Sequence, residues 1–323
     1  MSDDKIKRRE FLKLGGKAAL LGAILGGAEY ALSLGEYSPF NPPAKNLSGA
    51  HVVKSDNAYP DLVAVKSADH ARAVAEAVAL AGGIGRFISK GDIVTIKPNV
   101  GWDRTSAQGA NTNPTLVAAM ARLCFAAGAR KVVVADVSCN ETRRCFQRSG
   151  IEAALEGTDA EIVLPSENNF IRADLGGEIL GAWPVLRPFL ECDKLINIPV
   201  IKHHGLCRGT GAMKNWYGVL GGPRNRLHQQ IDTSIADLAS FFRPTLTVVD
   251  ITRVLFRNGP VGGSLDDVMV HDIVAATTDQ VAADSFGARF LSLKPSDFEY
   301  ILEAEKRGLG KSTGFTMVEK ELA

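Results

Sequence analysis

The sequence lacks charge of either sign in excess. It holds 37 Lys and Arg against 36 Asp and Glu, a formal net charge of +1. A nucleic-acid-binding surface needs a basic surplus, so nucleic acid is not an expected partner. Cysteine is scarce and badly spaced for metal work. The five thiols are Cys124, Cys139, Cys145, Cys192 and Cys207, an odd number with no CxxC pair. That spacing offers no zinc ribbon and no ferredoxin-type iron–sulfur motif. G-x-G-x-x-G, the Walker loop, HExxH and G-x-S-x-G are all missing, which disfavours a dinucleotide fold, an ATPase, a zincin and an α/β-hydrolase. There is no internal repeat and no heptad pattern. What remains is ordinary globular composition, 46% hydrophobic and 23% charged over 323 residues, enough chain for a core without disulfide staples.

The N-terminus stands apart. Lys7-Arg8-Arg9-Glu10-Phe11-Leu12-Lys13 precedes a glycine-rich apolar stretch to about Leu34. It resembles a Tat (twin-arginine) export signal. The resemblance implies the Tat translocase as a partner and a periplasmic location or one on the outer face of the cytoplasmic membrane. Tat cargo crosses folded, often with a cofactor aboard. Ala31-Leu32-Ser33 is a small-x-small cleavage site; uncleaved, the segment is barely long enough for an anchor. Residues 1–33 carry six Lys or Arg and four Asp or Glu, so the rest is near +1 − 2 = −1. Residues 1–34 are therefore expected as signal or anchor, 35–60 as a Pro/Asn/Ser-rich linker or arm, and 61–323 as one domain.

Within that domain, short apolar strands alternate with helices. Strands are expected at 62–66, 91–97, 131–136, 161–164, 195–198, 245–250 and 273–277. Helices are expected at 68–81, 114–127, 142–155, 232–242, 280–291 and 295–307, with Asn113-Pro114 and Asp232 as start signals. Residues 166–190 form an irregular insertion, with Gly176-Gly177 and Trp183-Pro184 marking a small hairpin. The pattern predicts an α/β fold, a mostly parallel sheet with helices on both faces.

Polar groups cluster where strands end. Lys97 and Asn99 follow one strand and Asp136 ends the next. Lys202, His203 and His204 follow a third, leading into a glycine-spaced loop with Thr210, Lys214 and Asn215. Asp250, Thr252 and Arg253 follow a fourth, and Thr277 and Asp279 a fifth. In a parallel sheet these exits share one edge, where ligands bind. Lys97 and Lys202 are candidates for holding a small carboxylate or phosphate, or for a base or covalent attachment point. Asn99, Thr210, Asn215, Asp250 and Arg253 are candidate substrate contacts. His204 is a candidate proton carrier or metal ligand, with His228 or His271 to complete a metal site. His203 points away from His204 on an extended backbone. Asp136, Asp279 and Asp284 are candidate buried carboxylates; Asp284 needs a partner, such as Lys or Arg. Cys192 and Cys207 flank one strand and are a candidate disulfide.

Ile96-Lys97-Pro98-Asn99, Asn113-Pro114, Val133-Val134-Ala135-Asp136 and Asn197-Ile198-Pro199 form one set. Lys202, His204, Thr210, Lys214, Asn215 and Gly218, then Val249-Asp250, Asn258-Gly259-Pro260-Val261 and Asp279-x4-Asp284, complete it. Together they resemble domain-of-unknown-function family 362 (DUF362) over about residues 60–292. Some members of that family carry ferredoxin-type cysteine runs, and this chain has none. His204-x9-Lys214-x3-Gly218 and Asp250-x-Thr252-Arg253 are also similar to the nickel-pincer lactate racemase family, in a different order along the chain. That second likeness implies Lys214 as a cofactor attachment point, His204 as base, and His228 as nickel ligand. The expectation is an exported metal- or cofactor-dependent enzyme of redox or isomerase type, acting on a small anionic substrate, with a redox partner not identified. The alternative is a non-catalytic periplasmic ligand-binding or maturation protein.

Overall fold

Hydrophobic alternation builds the sheet first. In a strand, successive side chains point to opposite faces. Val132 and Val134 accordingly enter one core layer, and Val133 and Ala135 the other. Each fully buried aliphatic side chain of this kind contributes about 1.5–3 kcal/mol. A computed structural model describes residues 51–54 and 56–323, all within one compact unit. The expected signal at 1–34, and most of the expected arm at 35–60, lie outside the described residues.

The central strands are β1 (Leu62–Lys66), β2 (Ile93–Pro98), β3 (Lys131–Ala135) and β4 (Glu161–Val163). A hairpin, β5 (Phe170–Asp174) and β6 (Ala182–Leu186), forms a separate two-stranded sheet, which is the expected insertion. Then come β7 (Lys194–Ile198), β8 (Val200–His204), β9 (Arg208–Thr210), β10 (Leu246–Leu255), β11 (Val268–Thr277) and β12 (Met317–Glu321). The main sheet has ten strands in the order β12-β1-β11-β10-β7-β2-β3-β4, with β8 paired to β10 and β9 to β8. Strands β10, β7, β2, β3 and β4 run parallel, whereas β11 is antiparallel to both β10 and β1. The fold is thus α/β with a mostly parallel, mixed sheet.

Helices cover both faces. Helices α1 (His70–Leu80), α2 (Pro114–Ala126) and α4 (Ile151–Leu155) bury their apolar sides against Val94, Ile96 and Val134. Helices α5 (Ile231–Phe241), α6 (Gln280–Ala288) and α7 (Glu299–Lys306) contribute to the layer behind Val133, Ala135 and Leu195. Asn113 caps α2 by accepting from Thr115 N at 3.0 Å, with Pro114 in the first turn.

Several expectations change. The expected helix 142–155 breaks into α3 (Thr142–Ser149) and α4, because Gly150 adopts φ +83°, a left-handed conformation that ends a helix. Asp232 does not cap α5; it lies within the first turn, and no side chain among the described residues caps that end. The loop expected after Pro199 is instead the antiparallel hairpin β8–β9, with Lys202 opposite Thr210. Because β11 runs against its neighbours, the chain leaves Thr277 toward Asp279 in the opposite direction from its exits after Lys97 and at Asp136, although the register sets Thr277 level with Thr247, Asn197 and Lys97. Asp279 caps α6, accepting from Val281 N and Ala282 N, and is only half-buried. All five cysteines are free thiols, so Cys192 and Cys207 are unpaired.

Candidate functional site

The site grows from the C-terminal ends of β2, β3, β7 and β8. Alternation along β2 places Thr95 and Lys97 on one face, and both are fully buried. Lys97 Nζ donates to Pro98 O at 2.8 Å and Asn215 Oδ1 at 2.9 Å, and pairs with Asp136 Oδ1 at 2.9 Å. Two neutral acceptors and an adjoining carboxylate suit an ammonium. Burial pushes its pKa down while Asp136 opposes that shift. Asp136 also accepts from Val100 N at 2.5 Å. The expected role of Lys97 as a direct substrate contact is corrected on these grounds: it is a buried strut.

Gly218 lets this pair form. A Cβ built there would overlap Asp136 Oδ1 and stand 2.6 Å from Lys97 Nζ, so any side chain would displace the ion pair. Its carbonyl accepts from Val137 N at 2.7 Å, tying the segment after Lys214 to the exit of β3.

Asn215 is the hub. Its Oδ1 accepts from Lys97 Nζ and from Asn99 Nδ2, both at 2.9 Å, and its Nδ2 donates to Asn197 Oδ1 at 2.8 Å. Asn197 Nδ2 donates to Ala212 O at 2.9 Å, which holds the segment leading into Lys214. A polar residue inside the apolar run Leu195–Ile198 is itself a signal of such a partner. Asn99 is half-buried and extends the network outward.

Lys202 and His204 share one side of β8, and His203 takes the other, where its Nδ1 accepts from Gly259 N at 3.2 Å. Lys202 is 2% exposed, and its Nζ donates to Asn99 Oδ1 at 2.8 Å and Ala110 O at 2.5 Å. No carboxylate among the described residues pairs with it. Burial is the main cause that pushes its pKa down to about 7, with Lys214 and Lys97 adding repulsion. Lys214 is 9% exposed and has no hydrogen-bond or ion-pair partner among the described residues; its Nζ lies 4.2 Å from the centre of the Tyr217 ring. Burial lowers its pKa too.

His204 departs from the expected base. Its Nδ1 accepts from Leu206 N at 3.2 Å and lies 3.5 Å from Cys207 N. That leaves the imidazole proton on Nε2. Burial, reinforced by Lys214, pushes its pKa to about 3, so the ring is neutral at physiological pH. His204 therefore presents an N–H donor in place of a lone pair. His228 stacks on it at 6.2 Å between centroids and 16° between planes. No group of three His, Cys, Asp or Glu among the described residues is placed to hold a metal ion. The donor set does not fit the expected protein-held metal: His204 and His228 are a pair without a third ligand, and the free nitrogen of His204 bears a proton.

The remaining candidates fall into supporting places. Asp250 accepts from Asn113 N at 2.7 Å, Thr252 N at 2.9 Å and Thr252 Oγ1 at 2.7 Å, which fixes the start of α2 and leaves it no role as a substrate contact. Asp284 has no Lys or Arg partner among the described residues; it accepts from Ala212 N and from Met213 N at 3.1 Å. Burial pushes its pKa up to about 7. Thr210 is half-buried opposite Lys202. Arg253 makes no hydrogen bond or ion pair among the described residues, and His271 packs edge-on against Phe290, away from His204. Arg224 is the member the sequence conceals. Its guanidinium donates to Val137 O at 2.6 Å, Ser138 O at 2.7 Å and Tyr217 O at 3.1 Å, closing the edge beside Lys97 and Lys214. An Arg after Gly-Gly-Pro reads as a surface turn, and nothing local marks it otherwise.

Comparison with known proteins agrees with the resemblance in the sequence. The family model described as "Domain of unknown function (DUF362)" matches residues 94–289, more than half of the chain. The thylakoid-associated protein sll1697 of Synechocystis sp. is 25% identical over 236 residues, 71% of this chain and 72% of that protein. The lactate racemase apoprotein from Thermoanaerobacterium thermosaccharolyticum aligns at a TM-score of 0.41 and 13% identity, over 77% of this chain and 61% of its own. A Thermotoga maritima protein aligns at 0.43 and 9%, over 70% and 60%. The chain spans about three-fifths of each of those two structures, and a likeness at these scores says nothing about the site.

Proposed function

This chain belongs to the DUF362 family, and from that premise we propose that it binds and acts on a small anionic substrate at the C-terminal edge of its sheet. One observation carries the reading. Lys202 and Lys214 are both buried, Lys214 adds repulsion at Lys202, and neither has a carboxylate partner among the described residues. Burying an unpaired charge is costly. A carboxylate or phosphate entering beside Asn99 offsets that cost for both. His204 adds a neutral N–H donor, and Asp136–Lys97–Asn215 holds the frame in register. Lys202, brought down to about 7, is poised to exchange a proton near neutral pH, so it is the group we assign to proton transfer.

The twin-arginine pattern supports an exported location for this chemistry, and the name of the Synechocystis relative, thylakoid-associated, is compatible with a membrane-bounded compartment. The non-catalytic reading predicts binding without turnover.

Thermal unfolding with acetate, pyruvate and phosphate in turn tests the anion site. A ligand at a hundred times its Kd adds about 2.7 kcal/mol of stability. A rise in midpoint that is lost in Lys214→Met supports the site; no rise with any small anion contradicts it.

A further inference from the structure

The two buried lysines differ in whether a carboxylate stands beside them. Lys97 Nζ donates to two neutral acceptors and is ion-paired with the Asp136 carboxylate, which favours its ammonium form. Lys202 Nζ meets two, Asn99 Oδ1 and Ala110 O, and neither is charged. A neutral amine has two hydrogens and one lone pair, so two acceptors satisfy it and leave the lone pair free. Asn99, one of those two acceptors, is the half-buried member of the network. Lys214, also buried and without a carboxylate partner among the described residues, adds repulsion at Lys202 when protonated. A desolvated lysine beside a second cation is the usual way to activate an amine as a nucleophile.

We propose that Lys202 condenses with the carbonyl carbon of a small oxo acid to form an imine, while Lys214 holds the substrate carboxylate. The inference rests on the anion-site reading above. The Nζ lone pair adds to the carbonyl carbon, and the carbonyl π pair moves to oxygen. The two amine hydrogens leave with that oxygen as water, and a C=N bond replaces C=O. No oxidant or reductant is consumed. His204, whose Nε2–H is fixed as a donor by its backbone contacts, supplies the hydrogen bond that polarises the carbonyl oxygen. Burial of Lys202 keeps bulk water from hydrolysing the imine and limits the ligand to a small molecule. A neutral ketone would leave Lys214 unpaired, which is why the acid is specified.

Incubating the full chain with pyruvate, reducing with cyanoborohydride and mapping peptides by mass spectrometry tests this. The expected result is a reduced pyruvyl adduct on the Lys202 peptide, with yield rising as pH passes upward through 7. Acetone should label the same residue less well. Lys214→Gln should cut pyruvate labelling by about tenfold, the size of one charge contact, and acetone labelling by less. Mapping the unsubstituted chain needs no variant to fold. Adducts only on exposed lysines, or on Lys214, overturn the proposal. So does absence of adduct while pyruvate still raises the unfolding midpoint, and the anion site then stands. Absence of both adduct and stabilisation removes the anion site, and the imine with it.

Discussion

Lys202 Nζ lies 2.8 Å from Asn99 Oδ1, and that amide takes the place a carboxylate occupies beside Lys97. Two lysines leave neighbouring strand ends into one network, one paired and one not. The difference decides which is frame and which is chemistry.

The unpaired state has a signature in stability. Burial takes Lys202 from the usual 10.5 down to about 7. Between those values the unfolded chain holds a proton there that the folded chain has released. Stability from this group therefore rises with pH across that window and is lost below it. Urea unfolding at pH 7, 8 and 9 should show the rise, and Lys202→Met should flatten part of it. Lys97 and Lys214, shifted the same way, keep the remainder. An identical slope in the variant contradicts the assignment.

Asp136→Ala leaves Lys97 buried and unpaired, a loss of about 3–5 kcal/mol. Lys97→Met with Asp136→Leu removes both charges and should recover most of that loss. A single substitution no worse than the double would show that the pair is not buried as described. Denaturant midpoints distinguish the two.

Gly218→Ala tests the close approach without touching a charge. The added methyl would overlap Asp136 Oδ1 and Lys97 Nζ. Overpacking of this kind costs about 1–3 kcal/mol or more. Anion affinity should fall with stability, because the frame carries Asn215 and Asn99. A neutral Gly218→Ala would mean the segment has room that the structure denies it.

Asp284 anchors the backbone immediately before Lys214. Its folded pKa is raised from 3.8 to about 7. The folded chain thus holds a proton that the unfolded chain releases, so the stability it contributes is full below about pH 4 and fades as pH rises through about 7. Asp284→Asn should abolish that fade. It should also cost about 1–3 kcal/mol at low pH, since one backbone N–H then faces an amide NH2. A variant that keeps the fade would move the titration elsewhere.

Much of the frame is legible in the chain. Val132–Ala135 and Leu195–Ile198 read as buried strands because runs that short and apolar have few other uses. Lys97, Asp136, Lys202, Lys214 and Asn215 stand out because each lies at or beyond the exit of a buried strand. Strand direction is not legible: periodicity is the same in both senses, so sequence alone groups Asp279 with Asp136 although β11 reverses. The partners of Asp284 are hidden for a related reason. They are backbone amides, of Ala212 and Met213, and a backbone amide carries no residue signature. Residue type alone suggests a base at His204, and only the amide at Leu206 reveals which nitrogen carries the proton. Strand β12 is exposed along its length and has no apolar alternation to announce it.

Calorimetric titration with acetate from pH 6 to pH 9, on the unsubstituted chain and on Lys202→Met, tests the central claim most directly. Acetate has no carbonyl carbon open to condensation, so it reports the charge alone. Affinity should weaken as pH rises through about 7, and binding in the variant should be weaker and lose the part of the pH dependence centred there. Affinity that is flat with pH in the unsubstituted chain, or unchanged by the substitution, would contradict the claim that Lys202 is an unpaired, titrating member of the anion site.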